Sequence, residues 1–251
     1  MVFQQNEIGC LSLSPNDTGV MMFEDLLTEY ERLEPPGTDT WNPLLDDNEL
    51  WHRVRLFIAL GWALRQIPIS IEKLKVLDVG CGVGRSTRTL LEFGVMPENI
   101  LGIDLRSSAI SYAQSLNPGI CFQIVRSFED WPSPGTFDLV MQCTVFTSIL
   151  GIGRRLAVAE QMEKSVHDQG YIFWWDGQWA ADFAGGDPLR PEKLFLNSQV
   201  IGHREYSLRP FIPEALRCLR GRFGNRLAWM AQHLFGFPPT HCAALFQKMK
   251  S

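Results

Sequence analysis

At 251 residues the chain is long enough for one α/β domain with a generous core and short for two independent domains, so one is expected. Hydrophobic residues make up 45% and charged residues 20%, which excludes a disordered polymer. A formal net charge of -5 offers no overall positive field to a phosphate backbone or an anionic membrane, and argues against nucleic acid as the substrate.

The six cysteines, Cys10, Cys81, Cys121, Cys143, Cys218 and Cys242, form neither a CxxC pair nor Cys/His ligand spacing. They read as reduced thiols, with no disulfide framework and no metal site. Residues 1–7 lack the basic start and apolar run of a signal peptide, and the longest apolar stretch, residues 56–64, is too short to span a bilayer. A soluble, cytoplasmic protein with no membrane partner is expected.

In chain order, residues 1 to about 45 are irregular around an apolar-periodic stretch from Val20 to Leu33. From Leu50 to Ile67 the positions Leu50, Val54, Phe57, Ile58, Gly61 and Leu64 fall at helical spacing, and Pro68 ends the run. Residues 1–70 are therefore predicted to be a helical cap or substrate lid on a core of residues 71–251.

Short apolar strands then alternate with amphipathic helices. The strands are expected at 74–79, 100–104, 120–125, 137–143 and 171–176, and the helices at 86–93, 107–116 and 153–166. That rhythm predicts a Rossmann-like, doubly wound α/β sheet with parallel strands. An insertion around 177–200 interrupts it. A strand near 203–208, short helices near 213–219 and 225–235 and a closing strand at 242–247 complete seven strands, the last antiparallel.

The first strand runs into Asp78-Val-Gly80-Cys-Gly82-Val-Gly84 and then a helix, where the chain must turn sharply and a ligand can approach backbone amides. Such a turn also occurs in nicotinamide and flavin enzymes, and by itself it is a hint of nucleotide binding. Asp104 closes the second strand roughly 20 residues beyond the turn, where a carboxylate can accept both hydroxyls of a ribose. Capping the next helix is the competing role, for which Ser107 and Ser108 are better placed.

The form Val76-Leu-Asp-Val-Gly-Cys-Gly-Val-Gly84 resembles the first motif of the class I methyltransferases. The likeness continues through Gly102-Ile-Asp-Leu105, through Phe137-Asp-Leu-Val-Met-Gln142 and through the passage from Met162 to Asp176. It covers roughly residues 70–180. The resemblance implies S-adenosyl-L-methionine as cofactor: Gly80, Gly82 and Gly84 under its methionine moiety, Asp78 on its ammonium, Asp104 on its ribose and Leu105 against its adenine. It also implies an acid after the third strand for the adenine amino group. Here that place holds Ser127, followed by Phe128, so Ser127, Glu129 or Asp130 takes the contact; Gln142 belongs to the same donor half. Details at 142–149, 41–43 and 204–210 are similar to bacterial methyltransferases of polysaccharide and natural-product biosynthesis, which implies a sugar or natural-product intermediate as the small-molecule partner.

Methyl transfer from a sulfonium is an in-line displacement in which alignment supplies much of the rate. A hydroxyl acceptor also needs a proton acceptor, whereas an amine need only arrive unprotonated. Three residues are candidates for that base: Asp176 at the end of the fifth strand, His203 in the late segment and His52 on the cap helix, with Tyr206 more remote. Trp41, Trp51, Trp174, Trp175 and Trp179 could wall the pocket mouth, or Trp174 and Trp175 could fill the two faces of a buried strand. Late arginines (Arg204, Arg209, Arg217, Arg220, Arg222, Arg226) could receive an anionic group or stand solvated. The Asn/Asp-Pro-Pro-aromatic motif of nucleobase methyltransferases is replaced by Gln142-Cys-Thr-Val-Phe146. O-methylation of a small molecule is the leading expectation. N-methylation, an NAD-dependent oxidoreductase and a non-catalytic binding module are the alternatives.

Overall fold

A computed structural model describes residues 23, 24, 26–28, 47–178, 189–207 and 239–250. Helix α1 (Asp47–Leu64) leads into β1 (Val76–Val79), α2 (Arg85–Glu92), β2 (Ile100–Asp104), α3 (Ser107–Leu116) and β3 (Cys121–Ile124). Then come β4 (Phe137–Cys143), α4 (Ile152–Ser165), β5 (Val166–Gly177), β6 (Ser198–Tyr206) and β7 (His241–Lys248). The predicted helices at 213–219 and 225–235, together with Trp41, Trp179, Arg209 to Arg226 and His233, lie outside the described residues.

The seven strands form one sheet in the order β3-β2-β1-β4-β5-β7-β6. β1 to β5 are mutually parallel, and β7 runs antiparallel to both β5 and β6. The expected doubly wound, seven-stranded fold with an antiparallel last strand is the observed one. Because β1 and β4 are central and helices cover both faces, their side chains are buried on both sides, which is why these strands read as continuous apolar runs.

Two cores flank the sheet. On one face Leu56, Leu60 and Ala63 of α1 pack with Val76, Phe173, Trp175 and Leu245. On the other, Val158, Ala159 and Met162 of α4 pack with Leu77, Val140, Trp174 and Phe246. Trp174 and Trp175 thus fill opposite faces of β5, both fully buried, and neither stands as a wall at a pocket mouth.

Two predicted details change. The stripe picked out on α1 by helical spacing is its exposed one: Leu50, Val54, Phe57 and Ile58 are each 40–48% exposed, while Leu56, Ala59, Leu60 and Ala63 face the sheet. The helix is apolar on two sides, so period alone could not say which side is inside. β5 begins at Val166, not Tyr171. Val166 already pairs with Phe137, and the chain kinks through Gln169, whose φ is +65°, before Tyr171 pairs with Leu139.

Candidate cofactor and acceptor site

β1 ends in a turn in which Gly80, Gly82 and Gly84 have φ of +67°, +54° and +76°. Three left-handed residues in five demand glycine at those places. At Gly80 the demand is also steric: a Cβ there would stand 2.4 Å from Cγ2 of Val145. The turn is tied down by Cys81 N donating to Ile103 O at 3.0 Å. Gly84 then caps α2, whose first turn carries Ser86 and Thr87 back onto Asp78.

Asp78 is fully buried. Its Oδ2 accepts from Ser86 Oγ at 2.8 Å and Thr87 Oγ1 at 2.7 Å, while Oδ1 is buried with no hydrogen-bond partner. Burial pushes this carboxyl up to about 6, against the pull of the two hydroxyls. An acceptor in that state is unsatisfied until a donor reaches it.

At the end of β2, Asp104 Oδ2 accepts from Gly82 N at 2.9 Å, which couples the acid directly to the glycine turn. Its Oδ1 accepts from Arg106 N at 2.9 Å and Nε at 3.4 Å. The carboxylate is therefore oriented by three donors, yet it is on the wall of a cavity of about 400 Å³ in front of the sheet's carboxyl ends. Gly80 and Gly82, Leu105, Val125 and Trp131, and Cys143 to Val145 line the same cavity.

The loop after β4 is held rigidly. Thr144 has φ of +60°, a strained conformation for a β-branched residue. It is clamped by Thr144 N donating to Trp175 O at 2.7 Å and by Val145 N donating to the buried Gln142 Oε1 at 3.0 Å. Arg155 Nε donates to Phe146 O at 3.2 Å. The outcome is that Val145 is pressed onto Gly80.

Of the sequence-predicted donor residues, Gly80, Gly82, Asp104 and Leu105 line the cavity, and Asp78, Gly84, Ser127, Phe128 and Gln142 are not among its lining residues. Ser127 starts a short 3-10 turn over Phe128–Asp130. Phe128 packs edge-on against Phe23 at 5.1 Å, and Asp130 Oδ2 accepts from Arg126 N at 3.0 Å. Val125 and Trp131, on either side of that turn, are the residues at the cavity.

The three candidate bases are not brought together, and none is among the residues lining the cavity. Asp176 is fully buried; Oδ2 accepts from Phe146 N and Oδ1 from Gly177 N, both at 2.8 Å, and burial pushes its carboxyl up to about 6. Its geometry is that of a clamp on the loop after β4. His52 Nε2 accepts from Trp175 Nε1 at 2.9 Å, and burial, with Arg53 beside it, pushes the imidazole down to about 4. The ring is neutral at pH 7 with its proton on Nδ1, so its one basic nitrogen is already engaged. His203 is exposed on the outermost strand β6, paired with Ala244 in mid-strand. Arg204 lies over the ring of Trp62 at 4.9 Å, and Tyr206 packs edge-on against Trp175.

Among the lining residues not anticipated from the sequence, three come from the segment before β1. Glu49, on α1, is 8% exposed. Phe23 and Leu26 come from the helical piece within the predicted stretch 20–33. Periodicity had marked both segments as helical; only the folded structure shows which of their residues meet the cavity.

Residues 76–170 match the family model described as a methyltransferase domain. Among solved structures, the chain is similar to a TehB-like S-adenosylmethionine-dependent methyltransferase from Corynebacterium glutamicum, at 19% identity and a TM-score of 0.50 over 90% of this chain and 97% of that one. It is also similar to the N-methyltransferase NodS from Bradyrhizobium japonicum, at 14% identity and a TM-score of 0.55 over 82% and 100%. The [4+2]-cyclase SpnF shares the fold at 12% identity and a TM-score of 0.53 over 79% and 81%. One architecture thus serves more than one reaction, and the chemistry has to be argued from the site.

Proposed function

We propose that this chain, whose residues 76–170 match a methyltransferase-domain model, takes S-adenosylmethionine as its methyl donor and methylates a small-molecule acceptor, at oxygen in a sugar or natural-product intermediate. The observation that carries the donor site is the cradle itself: three left-handed glycines, an oriented Asp104 at the cavity wall and the unsatisfied, buried Oδ1 of Asp78 behind it. These residues fit the cofactor. Backbone without Cβ lets a ligand lie close over Gly80–Gly84, Asp104 accepts from ribose hydroxyls, and Asp78 accepts from the ammonium of the methionine moiety. Leu105, Val125 and Trp131 pack on the adenine, with Ser127 and Phe128 holding the turn beside it.

Bound there, S-adenosylmethionine supplies a methyl group activated by the positive sulfur. The chain's own contribution is alignment and exclusion of water. Val145 against Gly80 and the clamped loop Thr144–Ser148 fix the wall on the acceptor side, beyond the carboxyl ends of β4 and β5. A cavity of about 400 Å³ suits small ligands and supports a small acceptor. N-methylation of a small amine is the second reading. It is favoured by Glu49, a buried acid on the same wall, which would accept a hydrogen bond from an amine that arrives unprotonated.

Titration calorimetry with S-adenosylmethionine, S-adenosylhomocysteine and NAD tests the reading. Micromolar binding of S-adenosylhomocysteine is expected, weakened more than tenfold by Asp104→Ala, a loss of about 1.4 kcal/mol or more. Tight NAD binding with no response to S-adenosylhomocysteine would make the chain an oxidoreductase, and an unchanged dissociation constant in Asp104→Ala would move the ribose elsewhere. Turnover of any acceptor excludes a silent binding module.

A further inference from the structure

We infer that Asp176 is a positioning residue of the donor site: through the loop after β4 it seats Val145 on Gly80, and so sets how tightly the glycine turn holds the methyl donor. The inference rests on the donor-site reading above and takes from it only that the ligand lies against the turn.

The glycine turn and the loop after β4 leave neighbouring parallel strands side by side, because Val79 at the end of β1 pairs in register with Gln142 of β4. They meet at one contact. The place that a Cβ would take on Gly80 is filled by Val145, whose Cγ2 and Cγ1 lie 2.4 and 3.3 Å from it. Both residues line the cavity, whereas Asp176 does not. With φ of +67° Gly80 opens the left-handed run of the turn. Its backbone carries no side chain to restrain it and depends on what packs against it.

Val145 stands between two anchored residues. Before it, Thr144 N donates to Trp175 O at 2.7 Å, and the φ of +60° is one that a β-branched residue keeps only under constraint. After it, Phe146 is held at three points. Its N donates to Asp176 Oδ2 at 2.8 Å, its carbonyl accepts from Arg155 Nε at 3.2 Å, and its ring lies 4.6 Å from that of Trp174 between centroids. Asp176 is fully buried; its Oδ1 accepts from Gly177 N at 2.8 Å, and the hydroxyl and N–H of Thr147 donate to it as well. A buried carboxylate turned toward the donors of a loop, and away from the cavity, shapes that loop. Because Val145 directly follows the strained Thr144, any relaxation of the turn on loss of an Asp176 acceptor moves Val145 relative to Gly80.

Calorimetric titration with S-adenosylhomocysteine, over a double-mutant cycle of Asp176→Asn and Val145→Ala, tests this. Asparagine keeps one acceptor oxygen and turns an NH2 toward the other backbone N–H. Asp176→Asn is expected to weaken the ligand about fivefold and Val145→Ala by a similar factor, while the double variant is no more than about twofold weaker than Val145→Ala alone. A purely structural role would lower the unfolding midpoint and leave the dissociation constant of the folded protein unchanged. A proton acceptor would lose turnover, again with the dissociation constant unchanged. Thr144→Gly, which adopts the left-handed φ without strain, should return Asp176→Asn to within about twofold of wild-type binding. If Asp176→Asn does not fold, Thr147→Val, which removes the hydroxyl donor to Asp176, takes its place in the cycle, with a loss of about two- to threefold that disappears beside Val145→Ala. An unchanged dissociation constant, or losses that simply add in the double variant, overturns the inference. Wild-type protein that fails to bind S-adenosylhomocysteine refutes the donor-site reading instead.

Discussion

Asp78 holds two hydroxyls on one oxygen while the other is buried without a donor. Burial raises this carboxyl to about 6, so between pH 4 and 6 it is protonated in the free protein although an exposed aspartate would be ionised. A ligand ammonium pairs with the carboxylate form. Binding is therefore expected at full strength above about pH 6 and to weaken as pH falls through that value, approaching tenfold per unit at the steepest. The S-adenosylhomocysteine dissociation constant measured from pH 5 to 8 checks this, and Asp78→Asn should flatten the profile. At this scale the sequence was most legible where chemistry and backbone coincide. The glycines and Asp104 are marked by spacing alone. Glu49 is not, because a glutamate near a helix start is ordinary, and only tertiary packing turns it toward the cavity.

At the scale of elements, the two ends of β4 and β5 work as one piece. Asp176 reaches across to the backbone of Phe146, Gln142 to that of Val145, and Arg155 to the carbonyl of Phe146; together they hold Thr144 in its strained turn. Such strain persists only where neighbours over-determine it. Helix α1 was legible as a helix but not in its orientation. Leu50, Val54, Phe57 and Ile58 make as good a stripe as Leu56, Ala59, Leu60 and Ala63, and the choice is decided by the small residues Ala59 and Ala63, which let the helix lie close on Phe173 and Trp175. The two stripes should respond differently to truncation. Leu60→Ala is expected to cost about 2–5 kcal/mol, and Ile58→Ala about 1 kcal/mol or less, as measured by urea unfolding. Equal costs would mean that the stripe of Ile58 is packed as well.

Across the whole molecule, the alternation of strand and helix from residue 74 to residue 177 was enough to predict a doubly wound sheet, and its seven-stranded form emerged from counting. The order in which the last two strands enter the sheet was not legible, because β6 and β7 are separated by residues whose pattern carries no register. Two buried carboxyls, Asp78 and Asp176, both raised to about 6 from 3.8, give the fold a pH dependence. A raised acid contributes stability that is fully present below about pH 4 and lost as pH rises through 6. For Asp176 the shift corresponds to roughly 3 kcal/mol. The stability deficit of Asp176→Asn should accordingly be larger at pH 4 than at pH 7 when both proteins are unfolded in urea. A deficit independent of pH would show that the native carboxyl carries no extra proton.

The place of β7 has a consequence for biosynthesis. The last of the described strands in sequence, β7, lies inside the sheet, between β5 and β6. While a nascent chain emerges from the ribosome, β5 has its β4 partner long before residues 241–248 exist, and its other edge, with Phe173, Trp174 and Trp175 along it, has no mate. Such an edge is a template for wrong partners. The sheet closes only when β7 slides into the slot between β5 and β6, so cooperative folding waits for residues 241–248, and the interval before they emerge is when the open edge of β5 is most exposed to wrong partners.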